Sequence, residues 1–142
     1  MENSQIGIQL LDNSLQDNHY WKELISMFVM VGLKFEIHCW NEETEEIKAA
    51  LRFGKEKSTD WEFGTIIEGI IDEKFIEMIH HTVKPTDISI YNKMTPFFSI
   101  FLENGFSSEH YGTEFHILYE PTDMNFSSLL KELCEFAVVN VF

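Results

Sequence analysis

Four residues in one short stretch have side chains suited to chemistry: Glu109, His110, Glu114 and His116, within SSEHYGTEFHI. Two imidazoles and a carboxylate, with a fourth position open for water, are a donor set of catalytic zinc sites. His110, Glu114 and His116 would supply it, with Glu109 beside them. Their spacing is not that of HExxH or another zinc motif. The same region offers paired carboxylates, because Glu103, Glu109 and Glu114 can come together across a hairpin, as glycoside hydrolysis requires. With 24 acidic residues in the chain, that proximity is also expected by chance. Nucleophilic catalysis has less support: Ser107 and Ser108 have only His110 near them in sequence, and no GxSxG elbow is present. No GxxxxGKS/T or GxGxxG loop cradles a phosphate. Cys39 and Cys134 form no CxxC and no zinc-type pattern, and read most simply as two buried free thiols. No cofactor follows from these residues. A small metal-dependent hydrolase at His110, Glu114 and His116 stays open as a second reading.

These groups must be positioned by the stretch Asn92 to Tyr119. It reads as two apolar strands, Phe97 to Glu103 and Glu114 to Tyr119. A polar loop with Asn104, Gly105, Glu109, His110, Tyr111 and Gly112 joins them. Such loops over a rigid scaffold often carry function. Phe97, Phe98, Ile100 and Phe101 do not alternate, which predicts a strand buried on both faces or bulged.

Upstream, Ile6, Ile8, Leu10 and Leu11 fit a short edge strand or a loose arm over residues 1–16. Asp17 or Asn18 can cap a helix carrying Tyr20, Trp21, Leu24, Ile25, Phe28 and Val31, with Gly32 at its end. Leu33 to Trp40 alternates as a half-buried strand, with Phe35, Ile37 and Cys39 on one side and Glu36, His38 and Trp40 on the other. NEETEEIKAALRFG reads as a helix capped by Asn41 and stopped by Gly54. Lys55 to Asp60 reads as a charged loop, and Trp61 to Ile71 as a β-rich run in which Gly64 and Gly69 suggest a bulge or close approach. Asp72 caps a helix to about Thr82, with Phe75, Ile76 and Ile79 inward. Asp87 to Tyr91 suggests a short extended piece. Asn125 or Ser127 caps a last helix bearing Leu129, Leu130, Leu133 and Phe136, and AVVNVF fits either more helix or a strand. The expected fold is α+β: one domain over 1–142, with a mainly antiparallel or mixed sheet of four to five strands and helices packed on it.

The charge narrows the function. Ten basic residues against 24 acidic ones give a formal net charge of −14. Such a field attracts cationic partners and repels nucleic acid and anionic membranes. The densest acidic cluster is Glu42, Glu43, Glu45 and Glu46 at a helix start, where the dipole favours it. Trp40 beside it is an aromatic anchor of the kind enriched in binding hot spots. Met1 to Leu11 has no apolar run of signal-peptide length, and no 18-residue apolar segment occurs, so the expected place is the reducing cytoplasm.

Residues 91 to 116 carry distinctive strings, YNKMTPFF and FSSEHYGTEFHI, with FEIHCWNEE and WEFG matching more loosely. In these the chain resembles the immunity proteins of contact-dependent growth inhibition and related polymorphic-toxin systems, over about two-thirds of its length. The resemblance implies a non-enzymatic inhibitor of the C-terminal toxin domain of a cognate effector, often a basic nuclease. It carries over no catalytic residues. The expected contacts are Trp40, Glu42, Glu43, Glu45 and Glu46, with Glu109, His110 and Tyr111 from the loop.

Overall fold

Strand β2 (Lys34–Trp40) follows its sequence pattern residue by residue: Phe35, Ile37 and Cys39 are buried, while Glu36, His38 and Trp40 stay half-exposed. A computed structural model describes residues 5–11, 17–86, 92–118 and 124–141. Its elements run β1 (Ile6–Leu10), α1 (His19–Ser26), β2, α2 (Thr44–Leu51), β3 (Lys55–Lys57), β4 (Gly64–Ile70) and α3 (Glu73–His81). They continue with β5 (Ser99–Leu102), β6 (Phe106–Glu109), β7 (Glu114–Ile117), α4 (Met124–Leu133) and β8 (Ala137–Val141).

The fold is α+β, but the sheet has eight strands rather than four to five, in the order β3-β4-β2-β5-β6-β7-β1-β8. Each neighbouring pair is antiparallel. The expected polar loop between two strands contains a strand of its own, β6. Its serines look like loop residues, yet Ser107 and Ser108 are buried at 5% and 0% exposure. Burial is tolerated because the Ser108 hydroxyl accepts from the Trp21 indole N–H at 2.9 Å. The expected charged loop contains β3, and the undecided tail forms β8. β1 is not an edge strand; it lies between β7 and β8.

Two of the helix limits move. α1 ends at Ser26, so Val31 is 63% exposed rather than part of a buried stripe. Asn18 does sit at its N-terminus, but its amide donates to the carbonyls of Thr82 and Met94 instead of capping. α2 starts at Thr44 behind Glu43, so Asn41 is not its cap. Asp72 caps α3 as expected, accepting from Phe75 N at 2.9 Å. Asn125 and Ser127 fall inside α4. The expected extended piece at 87–91 and the strand end at Tyr119 lie outside the described residues.

The register sorts every strand residue onto one of two faces. Phe35, Ile37, Ile67, Ile100, Phe106, Phe115, Ile117 and Ile8 share one face and form the core with Trp21, Leu24, Phe75, Ile79, Phe126 and Leu133 of α1, α3 and α4. Phe28 stacks on Phe106 at 4.4 Å, and Phe75 meets Phe35 at 4.5 Å. Each such side chain contributes about 1.5–3 kcal/mol on burial. α2 lies on this side too, through Ala50, and the following Phe53 meets Phe75. Among the described residues no helix packs on the opposite face. β5 is covered on both sides only in part: Ile100 and Leu102 are buried under the helices, while on the open side Ser99 is buried and Phe101 is half-buried.

Candidate functional site

The open face is unusually aromatic. Period two places His38 and Trp40 of β2 there, with Phe101 of β5 opposite Glu36. Trp61, in the turn before β4, folds back over Gly64. A Cβ built on Gly64 would sit inside the Trp61 ring, so this close approach requires glycine. Rings follow one another across the strands: Phe101 to His38 at 4.7 Å, His38 to Trp61 at 5.9 Å, Trp61 to Trp40 at 5.0 Å and Trp40 to Phe98 at 5.0 Å. All five of these side chains remain partly exposed. Contiguous exposed aromatic surface of this kind marks an interaction site.

The run continues into the β6–β7 turn. Phe98 meets His110 at 5.8 Å and Tyr111 at 5.2 Å, both edge-on. His110, Tyr111 and Gly112 have consecutive left-handed backbones, with φ of 51°, 59° and 84°. Neighbours hold them there. Tyr111 N donates to Phe98 O at 3.0 Å, and its carbonyl accepts from Met94 N and Thr95 N at 2.8 and 3.2 Å. Gly112 lies against the Trp21 indole, where a Cβ would clash at 2.6 Å.

Two candidate patches, far apart in sequence, meet at this end of the face. The Tyr111 hydroxyl donates to Glu43 Oε2 at 2.9 Å, and Glu43 Oε1 accepts from Trp40 N at 2.8 Å. Glu43 is thus a positioning group. Tyr111 is 5% exposed and supports the face more than it presents a surface. Lys93 Nζ lies 4.4 Å from the Tyr111 ring centroid. Glu42 in the preceding turn and Glu45 on α2 are exposed and Glu46 on α2 is half-exposed, with Glu45 pairing loosely with Lys48 at 3.8 Å.

Next to the aromatic run lies a carboxylate–imidazole cluster. Glu109 and Glu114 are directly opposite on β6 and β7, as are Ser107 and His116. His110 Nε2 lies 3.1 Å from Glu114 Oε2, and His116 Nε2 lies 3.5 Å from Glu109 and 3.9 Å from Glu114 Oε1. Ser107 donates to Glu109 at 2.7 Å. The sequence grouped these four residues correctly, but the Nε2 of each imidazole lies against carboxylate oxygens. Among the described residues, no group of three or more His, Cys, Asp or Glu is arranged to hold a metal ion. Glu103, the third carboxylate considered, sits apart in the β5–β6 turn and accepts from Lys34 N at 3.2 Å.

Across the face, Glu36 binds Lys57 at 2.7 Å and His38 at 2.9 Å. The hydrogen bond from Lys57, and then that from His38, hold its carboxyl below the ordinary value. Cys39 points into the core. Burial, and secondarily the charges of Glu43 and Glu46, push its thiol up to about 12, so it is no nucleophile. Cys134 is not buried; it follows α4 and is exposed.

The sequence pattern placed Glu36 with His38 and Trp40 on this side of β2 but missed Trp61, Phe98 and Phe101 as members of the face. The usable signals were the alternation of β2 and the glycine three residues after Trp61. No family model matches the chain, and neither a curated protein nor a solved structure matches it.

Proposed function

We propose that this protein is a non-enzymatic immunity protein that binds the C-terminal toxin domain of a cognate effector, a basic nuclease, and blocks its active site or substrate groove. The observation that supports this reading is the uncovered sheet face, where partly exposed aromatic rings run into a pair of opposed carboxylates. Aromatic anchors supply much of the affinity at protein interfaces. The net charge of −14 adds steering toward a cationic cleft and discourages competition from nucleic acid. A cleft built to hold a polyanion presents lysine and arginine, and this face meets it with carboxylates. The resemblance of YNKMTPFF and FSSEHYGTEFHI to immunity proteins supports the choice of partner.

The test is co-expression with the toxin domain encoded next to this gene. Growth restored by the full chain, and nuclease activity lost in a stoichiometric mixture of purified proteins, are the expected results. A basic toxin domain that remains fully active with excess chain, and forms no complex by size-exclusion chromatography, would remove this reading.

A further inference from the structure

The two ends of the open face differ in how they treat charge. On the β4–β2 side, Glu36 is saturated by Lys57 and His38. On the β6–β7 side, Glu109 and Glu114 stand opposite each other as like charges, an arrangement strands avoid. Their partners are His110, His116 and the Ser107 hydroxyl; among the described residues neither is paired with a lysine or arginine, although the chain places Lys57 on the same face. Their side chains retain 28% and 33% exposure. The aromatic run reaches them through His110: Phe98 meets His110 at 5.8 Å, and His110 lies 3.1 Å from Glu114.

We propose that this part of the face seats an arginine side chain of a cationic protein, its guanidinium stacked on Phe98 with its edge against the inclined Trp40 ring and its N–H fork shared by Glu109 and Glu114. The inference rests on the protein-binding function proposed above and specifies how the partner is recognised. A guanidinium is planar and weakly hydrated, so it can lie against a ring and still donate two parallel hydrogen bonds to carboxylate oxygens. A lysine ammonium matches the charge but offers neither the plane nor the fork. The partly exposed rings of Trp40 and Phe98 supply the stacking surface, and cation–π attraction strengthens as the site dries. A second copy of this chain is a poor occupant, because each copy carries −14. A phosphate backbone or anionic lipid surface has the wrong sign.

The probes are hexa-arginine and hexa-lysine peptides of equal charge, titrated into the full chain at low salt. Titration calorimetry reports affinity, and the tryptophan indole N–H resonances report location. Hexa-arginine is expected to bind at least about fivefold more tightly than hexa-lysine. It should shift the signals of Trp40 and Trp61 but not that of Trp21, which is 0% exposed. The double substitution Glu109→Gln and Glu114→Gln should weaken hexa-arginine by about tenfold or more without lowering the unfolding temperature. Equal affinities for the two peptides, stationary Trp40 and Trp61 signals, or undiminished binding by the double variant overturn the proposal. The two readings separate cleanly. A chain that neutralises its toxin yet ignores the peptide difference loses only this inference. One that discriminates the peptides but protects no cell loses only the immunity function.

Discussion

Substituting Gly64 by alanine tests the open face without changing any charge. The new methyl would occupy the space of the Trp61 indole, so the ring must leave its place over β4. Trp61 would then lose its edge-on contact with Trp40 at 5.0 Å and its contact with His38 at 5.9 Å. Each aromatic pair is worth about 0.5–1.5 kcal/mol, giving a gross loss of about 1–3 kcal/mol. Alanine also restricts the unfolded chain, which returns about 0.4–1 kcal/mol. The net destabilisation is therefore about 1–2 kcal/mol. For a chain of this length that lowers the unfolding temperature by about 3–6 °C. Near-ultraviolet circular dichroism is the decisive assay, because the close Trp40–Trp61 pair dominates the coupled indole signal while Trp21 lies apart in the core. The expected result is a reduced indole band with an unchanged far-ultraviolet spectrum, together with weaker partner binding. An unchanged near-ultraviolet spectrum and an unchanged unfolding temperature would refute the placement of Trp61 on Gly64, and with it the continuity of the aromatic face.

Thiol labelling should be asymmetric. Iodoacetamide is expected to modify one thiol per native chain, at exposed Cys134, and two after denaturation, since Cys39 is buried with its thiol pushed up to about 12. Two rapid native modifications would place Cys39 outside the core. The Glu36 network predicts a pH dependence. Its folded pKa lies below the ordinary value of 4.5, so the unfolded chain binds the proton more readily. That stability is complete above pH 4.5 and is lost as pH falls through the lower folded value. Glu36→Gln should flatten the acid limb of a stability–pH curve, and an unaltered limb would assign it to other carboxylates. Within the acidic cluster, Glu43→Ala should destabilise by about 1–3 kcal/mol, since it strands two hydrogen-bond donors. Glu42→Gln with Glu45→Gln should cost less, about 0.3–1 kcal/mol from the lost helix-dipole interaction, but slow association with a cationic partner. Equal denaturation midpoints for the two variants would show that Glu43 is not the positioning residue.

Legibility followed the strength of local patterning. β2 could be read because all seven of its residues alternate without interruption between core and open face. α3 could be read because Asp72 and the Phe75 and Ile79 stripe agree on one start and one inward side. β6 could not, because a central strand buried by long-range partners needs no hydrophobic signature of its own. Phe106-Ser107-Ser108-Glu109 is a strand through its neighbours β5 and β7 and through the Trp21–Ser108 hydrogen bond. β3 was hidden for the opposite reason: a three-residue edge strand of Lys, Glu and Lys looks like loop, and its charges suit an exposed edge. The site was half legible. Trp40, the glutamates and the 109–111 loop stood out by composition. Their contact did not, because it runs through the Glu43–Tyr111 hydrogen bond, which spans 68 residues.

That hydrogen bond also bears on why the face is rigid. His110 and Tyr111 hold left-handed backbones that cost about 1–3 kcal/mol each outside glycine. The chain offsets this with three backbone hydrogen bonds to Tyr111, its hydroxyl contact to Glu43, and the packing of Gly112 on Trp21. A loop serving only to join β6 to β7 could avoid the strain with glycine or asparagine at those positions. The strained conformation aims His110 at Glu114, sets Phe98 against both turn residues, and fixes the loop to the start of α2. Side chains held this way before a partner arrives lose little freedom on binding, so more of the contact energy appears as affinity. Relaxing the turn with Tyr111→Gly should therefore weaken partner binding mainly through faster dissociation, and a variant whose dissociation rate is unchanged would show that the strain serves the fold alone.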